Sequence, residues 1–264
     1  VATLITRSGS TSAFGAFNNP KISYPCSVAA WAKMTTLVSI TAGPTGHYNM
    51  IVLGGDGIGN EFGIGIVGTD KIEPFCLNDS FNYITFAPGS ALSAGIWYGG
   101  VWSCLHATSR TLYQSAVGGN VSINTDTTTC TRAGGLPFTR QWNIGGYGSG
   151  DIMDGAIAQA AAWSCALTEG EARQYLNGLA PNFIRPSNLV IYVPFYDSGA
   201  VIVDQSPNKL GNAIKFAGTA PVFAPDPPIF QSVRPPILDI DNFINMAPKI
   251  GAGPPKQLMG QIWM

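Results

Sequence analysis

Ionisable side chains are scarce in this 264-residue chain. Asp, Glu, Lys and Arg together make up 11%, less than half of the roughly 25% usual in soluble domains. The formal net charge is -1, so there is no basic field to gather nucleic acid or an anionic membrane. Only two histidines are present, His47 and His106, which leaves little for imidazole-based metal or acid–base chemistry. The four glutamates are Glu61, Glu73, Glu169 and Glu171. The five cysteines (Cys26, Cys76, Cys104, Cys130, Cys165) include no C-x-x-C pair, which argues against a zinc site. Buried reduced thiols are the expectation, with one or two disulfides as the alternative. No apolar run reaches the roughly 18 residues of a membrane span, and "VATLITRSGS" lacks the apolar core of a signal peptide. The expectation is a soluble chain, or a mature one.

Glycine and proline are abundant, at 32 and 19. They punctuate short apolar, aromatic and β-branched runs: 12–17, 27–34, 48–55, 61–68, 82–89, 96–105, 110–119 and 140–148. Such spacing predicts an all-β sandwich or barrel. In "EFGIGIVG" glycine alternates with apolar residues, so one strand face is bare for a neighbouring backbone or a ligand, or the strand bends. One helix is predicted over 169–177. Thr168 and Glu171 form a capping box, in which each side chain satisfies a free backbone N–H of the first turn. Leu167 is placed to staple onto Ala172. Ala172, Tyr175, Leu176 and Leu179 form one stripe, and Gly178 is the stop. Strands are expected again at 187–195, 199–206 and 212–218. "GGDGIGN" (54–60) lacks the lysine and helix of a phosphate loop and reads, like "DQSPNKLGN" (204–212), as a turn.

Residues 225–264 differ in character. They hold eight prolines and scattered Ile, Leu, Met, Phe and Trp without a period. Such a segment cannot offset its chain entropy alone. It reads as an extended arm that docks Phe230, Ile237, Leu238, Phe243, Ile244 and Trp263 on a partner.

Three stretches together resemble the laminin-G-like, concanavalin A-like jelly-roll family over roughly residues 10–180. "CSVAAWAKM" is similar to the family's early strand with its tryptophan, here Trp31. Residues 94–120 are similar to its central hairpin, carrying Trp97, Tyr98, Val101, Trp102, Arg110, Leu112, Tyr113 and Gly118–Gly119. Residues 142–176 are similar to the late "IGG", "DG-x-I" and "AL-T-x-x-E" segment. The resemblance implies a concanavalin A-like β-sandwich. The organisation expected is a sandwich over 1–224, including a strand addition at 187–224, followed by the arm. One departure is the nearly all-alanine strand after Asp154–Gly155. The family's apolar positions fall on Ile157, Ala160 and Ala162, which requires a bulge; strict alternation instead groups Ile157, Gln159, Ala161 and Trp163. The continuation "RPSNLVIYVPF … APDPPIF" resembles proteins of tailed bacteriophages.

Candidate sites are few. Asp151 and Asp154 are candidate Ca²⁺ ligands, since hard cations take loop carboxylates; the competing reading is a turn and strand start. Trp142, Tyr147, Tyr48 and Trp97 are candidate sugar-stacking rings, with core packing as the alternative. Related sandwich glucanases carry their carboxylates in an E-x-D-x-x-E pattern that none of the four glutamates fits, so no catalytic residue and no enzyme activity is expected. No cofactor other than Ca²⁺ is implied. The function expected is a structural role in a virus particle, as a capsid decoration or tail-associated protein held to neighbouring subunits or copies of itself by the arm. The alternative is a lectin-like module for surface glycans. Neither nucleic acid nor membrane is an expected partner.

Overall fold

The computed structural model describes residues 2–5, 14–16, 23–41, 47–53, 62–77, 83–86, 89–129, 142–146, 153–195, 201–207, 213–215 and 222–224. Two units divide the chain, Val1–Val233 and Arg234–Met264, and every described residue lies in the first. In chain order the strands are β1 (Ala2–Ile5), β2 (Phe14–Ala16), β3 (Cys26–Met34), β4 (His47–Leu53), β5 (Phe62–Val67), β6 (Ile72–Leu77), β7 (Tyr83–Thr85) and β8 (Trp97–His106). They continue with β9 (Ser109–Ala116), β10 (Ser122–Asp126), β11 (Trp142–Ile144), β12 (Gly155–Trp163), β13 (Leu189–Val193), β14 (Val201–Ile202), β15 (Ala213–Lys215) and β16 (Val222–Ala224). Two helices, α1 (Val38–Thr41) and α2 (Glu169–Leu176), join them. Among the described residues no helix is long and apolar enough to cross a membrane.

The strands form two antiparallel sheets. One runs β10-β9-β8-β3-β12-β1-β16, with β13 beside β12, and the other runs β14-β15-β2-β11-β4-β5-β6-β7. Their facing sides make one core, which includes Val28, Ala30, Met50, Ile51, Phe62, Ile64, Trp102, Leu112, Trp142, Ile144 and Ile157. The architecture is the expected concanavalin A-like jelly-roll sandwich.

The first sheet is buried on its other face too. Trp31, Trp97, Val101, Tyr113, Trp163, Tyr192 and the helix residues Ala172, Tyr175 and Leu176 form a second cluster there. Burial on both faces explains why β3, β8, β12 and β13 read as continuous apolar runs rather than alternating ones. Helix α2 builds this layer as its sequence predicts. The side chain of Thr168 accepts from the Glu171 N–H, and Glu171 accepts from the Thr168 N–H at 2.9 Å. Leu167 and Ala172 share the cluster. Gly178, at φ +94°, ends the helix, and the Gly178 and Leu179 N–H groups donate to the Tyr175 and Gln174 carbonyls. Hydrogen bonds fasten the segment before α2 to the sheet. Ser27 Oγ donates to the Cys165 carbonyl and accepts from the Leu167 N–H, and Ser103 Oγ donates to the Leu167 carbonyl at 2.7 Å. Gly99 is required beneath the helix, because a Cβ there would lie 2.6 Å from Leu176 Cδ2 and 2.7 Å from the Trp31 ring.

The alanine strand contains the bulge. The β12–β3 register slips between Ala158 and Ala161, and Gln159 sits at φ +53°. Ile157, Ala160 and Ala162 therefore face the core between the sheets, while Ala156, Ala158, Ala161 and Trp163 face the helix layer. Gln159 is buried with both oxygens engaged: its carbonyl accepts from the Tyr175 hydroxyl at 2.9 Å and its Oε1 from the Tyr192 hydroxyl at 2.7 Å.

The glycines of "EFGIGIVG" admit a backbone. A Cβ on Gly63 would lie 2.3 Å from the Ile51 carbonyl oxygen of β4. The cysteine expectation needs correction in one place: Cys26, Cys104 and Cys165 are free, but Cys76 is disulfide-bonded. Cys130 lies outside the described residues, as do "GGDGIGN" and the whole arm 225–264.

Candidate ligand-binding site

A pocket of about 260 Å³ opens at the edge of the sandwich, where sheet β10-β9-β8 meets the chain before β8. Its walls are Gly89, Ser90, Ala91 and Leu92 on one side and Gln114, Ser115, Ala116, Asn120 and Ser122 on the other, with Ile72 and Tyr98 also lining it. That volume lies just below the roughly 300–1,000 Å³ of drug-sized sites.

The sequence builds each wall rigidly. Ser115 Oγ donates to the Ala116 and Gly119 carbonyls, which fixes the turn between β9 and β10. Within β10, Asn124 Nδ2 donates to Ser122 Oγ at 3.0 Å. The far end of β10 is held by Arg110, a buried guanidinium that donates to Asp126, to the Thr128 carbonyl and, at 3.2 Å, to Cys76 Sγ. It also lies 5.8 Å from the Trp102 ring centre, and Trp102 stacks on Phe62 at 4.2 Å. The opposite wall is tied by two backbone bonds, Leu92 N–H to the Asp70 carbonyl and Gly95 N–H to the Met34 carbonyl, and by the Ser93 N–H donating to the Tyr98 hydroxyl. Asp70 is itself anchored to Ser39, accepting from its N–H at 3.0 Å and from its hydroxyl.

Gln114 is the distinctive residue of the pocket. It is 8% exposed, and its Oε1 is buried with no hydrogen-bond partner. A carboxamide oxygen left in this condition costs about 1–3 kcal/mol. Its Nε2 lies 1.9 Å from where a Cβ on Gly89 would stand, and Gly89 has φ +94°. Glycine is therefore needed there twice, for the backbone angle and for the amide beside it. The lining is otherwise hydroxyls, a carboxamide and aliphatic carbon. Among the described residues it contains no Asp, Glu, His, Lys, Arg or Cys. Nothing in the sequence marked these residues as a site, because they come from four separate stretches and only the hairpin brings them together.

The residues singled out from sequence lie elsewhere. Trp142 and Tyr48 are 0% exposed, and both rings belong to the core between the sheets. Neither can stack on a sugar; the second sheet's packing, invisible in their local sequence, covers them. Trp97 is buried on the other face, with Lys33 Nζ 5.5 Å from its ring centre. Tyr147 and Asp151 lie outside the described residues. Asp154 is half-buried just before β12, its carbonyl accepting from the Thr35 N–H at 2.8 Å. Among the described residues no group of three or more His, Cys, Asp or Glu is placed to hold a metal ion. Glu169 and Glu171 serve α2, pairing with Arg173 and Arg185.

No family profile matches the chain, and no curated protein sequence does. Solved structures do. One, a protein from Bacteroides ovatus that bears the name of a carbohydrate binding protein, superposes with a TM-score of 0.53 at 14% identity, over 84% of this chain and 61% of the other. The chain thus spans less than two thirds of that protein. A heptameric SAP-like pentraxin from Limulus polyphemus superposes with a TM-score of 0.52 at 12% identity, over 81% of this chain and 93% of the other. At these identities the likeness is one of fold: the chain shares the antiparallel jelly-roll sandwich of these proteins.

Proposed function

We propose that this chain is a non-enzymatic carbohydrate-binding protein whose ligand enters the pocket between Gly89–Leu92 and the β9–β10 hairpin. The observation that carries the reading is the pocket's chemistry. It is about 260 Å³ and lined by hydroxyls, two carboxamides, the Tyr98 ring and aliphatic carbon, the mixed surface that a saccharide's hydroxyls and C–H groups complement. Hydrolysis of a glycosidic bond needs two carboxyl groups flanking it, and the described lining residues offer none. The name borne by the similarly folded Bacteroides protein agrees with this reading. Glycan-array binding by the full chain, followed by calorimetry on the best ligands, tests it. Saturable binding is expected, and it should weaken in Ser122→Ala; an array with no ligand above background refutes the proposal.

A second reading rests on the sequence of the arm. Its eight prolines and apolar anchors fit attachment to neighbouring subunits of a virus particle, where sugar binding would serve attachment to a surface. Deleting 226–264 is expected to leave the sandwich folded and abolish assembly. Normal assembly by the truncated chain, read by light scattering, refutes the arm's role.

A further inference from the structure

Resting on that carbohydrate-binding reading, we infer that the pocket selects the acetamido group of an uncharged 2-acetamido sugar. The unsatisfied Gln114 Oε1 is an acceptor that needs a donor. The oxygen is buried in the free protein, and the terminal torsion of a glutamine side chain is broad, so rotation of the amide is what presents it to a ligand. Ile72, Ala91, Leu92 and Ala116 line the same pocket and offer methyl and methylene surface. An acetamido group carries both matching features within one planar unit: an N–H for the carboxamide oxygen and a methyl for the aliphatic wall. A plain hexose supplies a hydroxyl but no methyl. That hydroxyl also satisfies the oxygen, so the preference comes from the methyl, whose burial against the aliphatic wall adds about 1 kcal/mol, or about fivefold in affinity.

The second half of the inference is charge. Among the described residues no cation lines the pocket, so the carboxylate of a sialic acid would lose hydration without a counter-ion. An acetamido group on an anionic sugar is therefore disfavoured, whereas on a neutral hexosamine it is accepted. Ser90, Asn120 and Ser122 remain for the ring hydroxyls.

The test is calorimetry of the full chain with the methyl glycosides of N-acetylglucosamine, N-acetylgalactosamine, glucose and galactose, and with sialyllactose. Either acetamido glycoside is expected to bind about fivefold tighter than its plain counterpart, the effect of one buried methyl, and sialyllactose more weakly than both. Gln114→Leu removes the acceptor and should weaken both kinds of sugar, while the preference for the acetamido methyl persists. Saturation-transfer NMR on the unaltered chain provides a readout that needs no variant to fold: the acetamido methyl should receive the strongest transfer. Equal affinity for plain and acetamido sugars, tighter binding of sialyllactose, or a silent methyl signal overturns the inference while leaving carbohydrate binding intact. Absence of binding to any saccharide overturns both.

Discussion

Tyr175→Phe removes one oxygen from the interface between α2 and the sheet and leaves the ring in place. The ring stands edge-on to Trp163 at 6.3 Å and tilted to Trp31 at 6.5 Å, and phenylalanine keeps both contacts. What is lost is the 2.9 Å hydrogen bond to the Gln159 carbonyl at the bulge of β12. That carbonyl belongs to a buried residue with a positive φ, so it cannot turn to water. Leaving such an acceptor unpaired costs about 1–3 kcal/mol. Tyr175→Ala also empties the ring's volume, and the cost rises to about 3–5 kcal/mol. Urea unfolding of the two variants separates the contributions: both midpoints should fall at unchanged slope, the alanine variant's further. An alkaline series adds an independent arm. Burial first, and the neighbouring Tyr192 second, push the Tyr175 hydroxyl well above its ordinary value. The unfolded chain titrates it near pH 10, so the neutral hydroxyl's stabilisation is complete below about pH 10 and declines as pH rises beyond it. Wild type should therefore lose more stability than Tyr175→Phe between about pH 9 and 11. If the phenylalanine variant matches wild type in urea and in its alkaline slope, the hydroxyl does not hold the bulge and the reasoning fails.

Other substitutions probe the same layers. Gly99→Ala places a Cβ 2.6 Å from Leu176, and the strain should cost about 1–3 kcal/mol with a change in near-UV dichroism as the Trp31 environment shifts. Thr168→Ala removes the helix cap and should lower stability by about 1 kcal/mol in thermal melts, whereas Glu169→Gln, which breaks only the exposed pair with Arg173, should change it by no more than about 0.5 kcal/mol. Asp126→Ala strands the buried Arg110 guanidinium and should cost about 3–5 kcal/mol in denaturant, with exchange protection lost first in β10.

The helix was legible to within one residue, predicted over 169–177 and found at Glu169–Leu176, because capping box, staple, apolar stripe and glycine stop all act locally at 167–178. Most strands were legible from their apolar runs. Strand β10 was not, because "SINTD" is a largely exposed edge and carries no apolar signal. Strand β6 was hidden by Pro74 inside "IEPFCL", since proline argues against a paired strand. The bulge in β12 was left between two patterns, and tertiary packing on both faces selects the one with Gln159 displaced. Trp142 and Tyr48 misled because an aromatic beside a turn signal looks accessible until the opposing sheet is in place. The pocket was illegible for a related reason. Gly89 and Gln114 carry no motif, and their relation exists only once the hairpin and the preceding chain face each other.

The nine residues of β12 are all buried, five of them alanine. The strand is pressed between the opposing sheet and the helix layer, and methyl groups set the spacing on both sides. Lineages of this protein should therefore vary least where its chemistry is plainest. A larger side chain at Ala158 or Ala161 pushes on Trp31 or the helix, and one at Ala160 or Ala162 pushes on the other sheet. A saturation-mutagenesis library should show 156–162 as its most intolerant stretch, while the polar edge at 122–125 accepts most substitutions. Sequence drift, and with it any change of ligand preference, is channelled toward the rim of the sandwich and away from its middle layer.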